Sequence, residues 1–325
     1  MTEENYKTGE ITNPAYQRML RPSCINDRIS YLELMVKFYF SAIVKIGTHV
    51  FKDKFRAEIC TSIQMMFTKA KMFLKLLEGS SHTDGTYSLH HLIDHTVLFT
   101  IVRTAYEQLC AFEVIYVLPD TEEKRIILQN AYIASGLKNR QKLFTKEALN
   151  RNRDLLESEQ VIIDDCKKQI HETNLYKSLK EKEQRLLDDE VFNKGNFQLY
   201  FDEHGKLFPH LGWDQIRNYC NLSTDYLKGL YKYACNMAHP SYLGLIQYRD
   251  AYKDGSIIGL EETAIMQMNS VLSVFIMDFM ERFPPVKVLY NNLDIESQFM
   301  ISMYNHAFRE KSKKSYCCPL KLQRE

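Results

Sequence analysis

Apolar residues recur at helical spacing along most of the chain. Ile29, Leu32, Val36, Tyr39, Phe40 and Ile43 share one face of a helix predicted from about 27 to 50, with Asn26-Asp27 as its cap. Ile59, Ile63, Met66, Phe67, Ala70, Phe73, Leu74 and Leu77 mark a second helix over about 53–78. Gly79 to Gly85 reads as a loop by composition. The most apolar helix is predicted over about 88–118 and stops at Pro119. Asp120-Thr121-Glu122-Glu123 opens a fourth, with acids in the first turn where the helix dipole favours them. Further helices are predicted from a Ser223-Thr224-Asp225 cap to Ala238, over about 258–282 and over about 293–310. No strand alternation and no internal repeat stands out. The expected fold is all-α: one helical bundle over 25–310, with a loose N-terminal arm at 1–24 and a disordered basic tail at 311–325.

Residues 138–190 differ in character. They hold twelve basic and twelve acidic residues, and their apolar positions thin to a narrow stripe. The pattern reads as a charged, solvated helical hairpin inserted in the bundle, or as an arm for a protein partner or for self-association. The stretch from 191 to 222 is irregular, with Gly195, Gly205, Pro209 and Gly212 ahead of the only Trp, Trp213.

Charge narrows the function classes. With 42 Lys+Arg against 41 Asp+Glu in 325 residues, the net charge of +1 excludes a generally basic nucleic-acid coat and an acidic tail protein. A local basic stretch does occur at Lys138-Asn139-Arg140-Gln141-Lys142, continued by Lys146, Arg151 and Arg153. Glu147, Asp154 and Glu157 dilute it. Eight scattered Cys without a Cys-x-x-Cys pair fit free thiols in a reducing compartment. The polar N-terminus lacks a signal-peptide pattern, and the longest apolar run is broken by Arg103, Glu107, Gln108 and Glu113. A cytoplasmic protein with no membrane span is expected. Cys317-Cys318 are followed by seven residues, so they do not form a C-terminal prenylation motif.

Several chemistries lose their sequence warrant. The chain has no Gly-x-x-x-x-Gly-Lys-Ser/Thr loop, no Gly-x-Gly-x-x-Gly, no His-Glu-x-x-His and no Gly-x-Ser-x-Gly. No cofactor is expected. His91 and His95 stand four apart, but no carboxylate or Cys at ligand spacing completes a set around them, so no metal is expected either.

Two constellations remain. Arg103 and Glu107 stand four apart in the most apolar helix and so share a face. They read either as a buried ion pair that fixes helix register or as a phosphate-binding Arg oriented by a Glu. Lys232, Asn236 and His239 fall at i, i+4 and i+7 of a later helix, beside Tyr231 and ahead of Pro240 and Ser241. An imidazole at a helix C-terminus serves either as a cap or as an acid or base.

Both constellations carry a resemblance. Arg103-Thr-Ala-Tyr-Glu107, followed by Tyr116 and Pro119, resembles the Arg-x-x-x-Glu motif of a bacterial all-helical domain family of unknown function. Gly212-Trp213, then Tyr231 and Asn236-Met-Ala-His239-Pro240-Ser241, resembles that family's second motif, and the order fits over about 50–250. That family is similar to the HEPN superfamily, whose members bind nucleotides or cleave RNA and sit in toxin–antitoxin and phage-defence operons. The resemblance implies a polar centre of Arg103, Glu107, Tyr231, Asn236 and His239, and Lys232 and Ser241 are further candidates for binding RNA or a nucleotide beside it. A metal-independent ribonuclease would use His239 and Arg103 as its catalytic pair. One departure matters: catalytic members place an Arg a few residues before the His, and here Lys232, Tyr233, Ala234, Cys235 and Asn236 stand in that window. Arg103 would have to supply the missing cation from another helix. A purely structural protein is the remaining reading.

Overall fold

The computed structural model describes residues 24–47, 54–145, 151–222 and 224–309. The expected arm before Cys24, Lys146, Ser223 and the tail with Cys317-Cys318 lie outside the described residues. The described residues form thirteen helices and two small hairpins, an all-α fold. They divide into two compact units, Met1–Leu109 with Asn221–Glu325, and Cys110–Cys220.

The first unit is built on α11 (Ile257–Arg282). Its length follows from its sequence: no Pro interrupts it, and Phe283-Pro284-Pro285 stops it and starts α12 (Pro284–Asn291), with Pro in the first turn where a missing N–H costs nothing. α1 (Ile25–Gly47), α2 (Lys54–Leu77), α10 (Tyr242–Asp254), α12 and α13 (Ile295–Phe308) pack on it. Among the described residues, α11 is the one helix long and apolar enough to cross a membrane, and 83% of its apolar window is buried within the protein. Its interior also carries polar groups that neighbouring helices use. Tyr39 Oη donates to Leu272 O at 2.9 Å, Asn269 Nδ2 donates to Arg28 O at 3.1 Å, and Ser273 Oγ donates to Ile301 O. Leu32, Val36 and Tyr39 of α1 are buried as the periodicity predicts. Phe40 is not: it is exposed, its ring beside Phe67 at 5.9 Å.

The helix predicted from residue 88 begins later. Ser80–Thr83 (β1) and Ser88–Leu92 (β2) form an antiparallel hairpin, and α3 runs His95–Phe112 before a wider π turn at Glu113–Val117. The turn chemistry is local. Asp84 Oδ1 accepts from Thr86 N at 2.8 Å and from Tyr87 N at 2.7 Å, and Gly79 and Gly85 take the positive φ that other residues resist. Asp94 then caps α3 by accepting from Thr96 N at 2.9 Å. Gln108 on α3 donates to Ser62 O on α2 at 2.7 Å, and Phe99 meets Tyr233 of α9 (Thr224–Ala238) edge-on at 4.9 Å.

In the second unit α4 (Glu122–Leu143) pairs with α5 (Arg153–Glu172). α6 (Asn174–Ser178), α7 (Glu181–Asp188) with its π continuation to Lys194, the β3–β4 hairpin (Tyr200–Phe201, Leu207–Phe208) and α8 (Trp213–Tyr219) complete it. The charged stretch at 138–190 falls inside this unit. Its stripe of Ile163, Cys166 and Ile170 closes on Ile127, Leu128, Ala131 and Ala134 before it and on Leu187, Val191 and Leu199 after it. Glu190 is fully buried and holds Lys194 Nζ at 2.8 Å and Asn196 Nδ2 at 3.1 Å. The basic stretch is also used internally. Lys138 Nζ reaches Gln160 Oε1 at 3.1 Å, Asn139 Nδ2 reaches Gly195 O at 2.7 Å, Arg140 pairs with Glu159, and Lys142 Nζ reaches Lys194 O at 2.7 Å. These side chains fasten α4 to its own unit, which is a different use from the nucleic-acid surface their composition allows.

Candidate functional site

The two constellations meet in the first unit. Arg103 and Glu107 project from α3 and join through Nε and Oε1 at 3.0 Å. Tyr231, on α9, donates its hydroxyl to the same Glu107 Oε1 at 3.0 Å and stacks its ring on Tyr106 at 5.1 Å. His239, just past the end of α9, lies with Nε2 2.8 Å from Arg103 Nη1. A guanidinium has only donors, so Nε2 is the acceptor in this contact.

Not every expected residue joins them. Tyr231, Cys235 and His239 repeat at i, i+4 and i+8, and that is the face turned to α3. Lys232 and Asn236 sit one step round the helix and are exposed. Lys232 and Asn236 share a face with His239 as the spacing predicts, but the structure does not bring them to Arg103 and Glu107. Ser241 is occupied as a cap: its Oγ accepts from Gly244 N at 3.0 Å to start α10 and donates to Asn236 O at 2.6 Å. It positions the His239 turn and is not placed as a ligand group.

Arg103 and Glu107 are partly buried. Their side chains retain 23% and 22% of their exposure, so the pair is not sealed in the core. An exposed i,i+4 ion pair contributes about 0.3–0.5 kcal/mol, and the order Arg before Glu runs against the helix dipole. Burial works against the Arg103 charge, but the hydrogen bond and charge of Glu107 outweigh it and hold the group more firmly protonated than usual. Burial, then the hydrogen bonds to Cys235 and Glu107, push the Tyr231 hydroxyl far up, so it stays a proton donor at any ordinary pH. Among the described residues, two of the five Arg103 N–H groups are engaged, by Glu107 and His239.

The site falls within a family. The pattern of the DUF5677 family, a family of unknown function, matches residues 79–256, more than half of the chain. The chain belongs to the DUF5677 family. No curated protein and no solved structure matches it. The DUF5677 span begins at the β1–β2 hairpin, ends just after α10, and includes every residue of the Arg103–His239 centre.

The three-histidine segment opens the DUF5677 span but does not assemble. His90 and His91 lie exposed on β2, His91 with φ 54°, whereas His95 is fully buried at the start of α3. No three His, Cys, Asp or Glu side chains converge on a metal position among the described residues. His95 stacks on Tyr248 at 5.6 Å, and neither ring nitrogen has a hydrogen-bond partner. Burial holds its pKa below the usual histidine value, with the charge of neighbouring Asp94 opposing. As pH falls through about 6.5 the unfolded chain gains a proton that folded His95 resists, so this group destabilises the fold towards acid. Glu261 acts with the opposite sign at lower pH: burial raises its pKa, with His91 opposing, so the fold favours its protonated form. Thermal melts between pH 8 and pH 6 should therefore show the melting temperature dropping in the wild type and changing less in His95→Phe.

Proposed function

We propose that the protein binds a phosphate-bearing ligand, RNA or a nucleotide, at Arg103 and His239, as a binding or regulatory module. The carrying observation is the 2.8 Å contact between Arg103 Nη1 and exposed His239, with Glu107 orienting the guanidinium and Tyr231 orienting Glu107. An incoming phosphate takes the remaining N–H groups of Arg103 in charge-assisted hydrogen bonds, with the His239 ring beside it as a further partner. The HEPN-like motifs support a nucleic-acid ligand and a role in a bacterial stress or phage-defence system in the cytoplasm. The test is calorimetric titration with a nucleoside monophosphate and with a short single-stranded RNA. Binding by the wild type that is weakened in His239→Ala supports the reading, and titrations without heat in either ligand would sink it.

One observation favours a second reading, a metal-independent ribonuclease. An imidazole Nε2 beside a fixed guanidinium is the arrangement a 2′-hydroxyl attack needs. His239 takes the 2′-proton, the 2′-oxygen bonds to phosphorus, the bond to the 5′-oxygen breaks, and that oxygen takes a proton from water. Arg103 bears the charge that develops on the phosphoryl oxygens. Cleavage of mixed cellular RNA that is lost in His239→Ala would establish this reading, and equal cleavage by wild type and variant would exclude it.

A further inference from the structure

α10 begins three residues after His239, and the Ser241 cap fixes the turn between them: Ser241 N donates to His239 O at 2.7 Å while its hydroxyl holds both Asn236 O and Gly244 N. The outward face of α10 is unusual. Tyr242, Leu245, Tyr248 and Tyr252 follow at i, i+3, i+6 and i+10 and fall on one stripe, and all four are exposed, Tyr242 to 75%. Arg249 and Lys253 project on the same stripe, while Asp250 lies off it and pairs with Arg249 from the side. The stripe is thus aromatic with two basic residues: Asp250 holds Arg249 through two hydrogen bonds, Lys253 stands beside it, and the charges of Asp94 and Glu261 reach Tyr252.

Two of its rings, Tyr248 and Tyr252, are also fixed in place. Tyr252 Oη accepts from Ile93 N at 2.9 Å and donates to Ile93 O at 2.6 Å. The Tyr248 ring lies on the buried His95 ring, and Tyr248 and Tyr252 meet at 5.2 Å. Rings immobilised before binding lose little freedom when a partner stacks on them. A stripe of ten residues spans about 15 Å, room for several bases at the ~3.4 Å stacking spacing.

Resting on the phosphate reading of the Arg103–His239 site, we propose that α10 is a stacking platform for single-stranded RNA. One phosphate sits at Arg103 and His239, and the following bases stack along Tyr242, Tyr248 and Tyr252. The phosphates between those bases pass Arg249 and Lys253. Aromatic faces accept every base, so recognition is tolerant of sequence and depends on strand length and on salt. A duplex, whose bases are already stacked, binds worse.

The experiment compares a nucleoside monophosphate with a short oligouridylate on the full chain, using the wild type, Tyr242→Ala and Tyr242→Leu. Tyr242 reaches into solvent, so neither change disturbs the core. The expected result is tighter binding of the oligouridylate than of the mononucleotide by the wild type. Both variants should lose about five- to 150-fold on the oligouridylate, the size of one base stack, and nothing on the mononucleotide. Tyr242→Leu separates stacking from an apolar protein contact, which leucine would preserve. Equal affinity for the two ligands, or oligouridylate binding unchanged by Tyr242→Ala, overturns the platform and leaves the phosphate site standing. A dimer in sedimentation that Tyr242→Ala dissociates and Tyr242→Leu keeps would assign the stripe to a second copy instead. A wild type that binds neither ligand removes the phosphate site and the platform together.

Discussion

Replacing Arg103 by Met is expected to weaken nucleotide or RNA binding on the order of 30- to 1,000-fold, the loss of a charged partner from a part-buried hydrogen-bonded pair. Fold stability should fall by less than the ~3–5 kcal/mol of breaking a sealed ion pair, because about a fifth of each side chain stays exposed and Tyr231 still donates to Glu107. This asymmetry distinguishes a site from a structural strut. A register-fixing ion pair would show the reverse, with a large drop in the urea midpoint and no effect on a ligand. Arg103→Lys keeps the charge but not the planar fork that serves Glu107 and His239 at once, so it should fall between wild type and Arg103→Met. Glu107→Gln still accepts from Tyr231 but no longer neutralises the guanidinium, and should cost less than Arg103→Met. Titration calorimetry and urea unfolding on the same four proteins decide the matter. Binding that survives in Arg103→Met would end the phosphate reading.

The sequence pattern is informative wherever one face of an element is buried. The periodicity of Ile59, Ile63, Met66, Ala70, Phe73 and Leu77 gives α2 and its inward face, and the unbroken run before Pro284 gives α11. α10 escapes the same reading because its aromatic positions face solvent, and a stripe without a buried face leaves periodicity nothing to sort. The start of α3 is misplaced for a different reason. The β1–β2 hairpin is written in polar turn chemistry at Asp84 and Gly85, which marks a loop but not the strands beside it. In the charged stretch, Ile163, Cys166 and Ile170 read as a narrow stripe because their core partners lie before residue 135 and after residue 186.

The candidate site divides along the same line. The i,i+4 spacing of Arg103 and Glu107 is local and legible. The contact from Arg103 to His239 joins residues 136 apart and exists only in the packed unit. On α9 the sequence offered two neighbouring polar faces. Packing chose Tyr231, whose ring finds Tyr106, over Lys232, whose charge is better left in water.

The largest stability loss should come from a residue outside the site. Arg309, directly after α13, pairs through Nη2 with Asp278 of α11 and through Nε with Asn305 Oδ1 at 3.2 Å. The two side chains of the ion pair are only 10% and 1% exposed. Asp278 lies deep enough that its charge, after burial itself, helps push the Tyr39 hydroxyl well above its ordinary range. Removing Arg309 takes the Nη2 partner from a carboxylate in the interior, and Arg309→Ala should cost about 3–5 kcal/mol, a large part of the ~5–15 kcal/mol that holds a typical domain. The cost belongs to the buried charge rather than to the lost attraction. Changing both partners, Arg309→Met with Asp278→Leu, should therefore recover most of it, whereas two independent contributions would add. Far-UV circular dichroism in urea is the signal to follow, since the only Trp, Trp213, belongs to the Cys110–Cys220 unit and its fluorescence reports events there. A double variant as unstable as Arg309→Ala would show that the pair contributes by its attraction, and that α11 and α13 depend on it as a clamp.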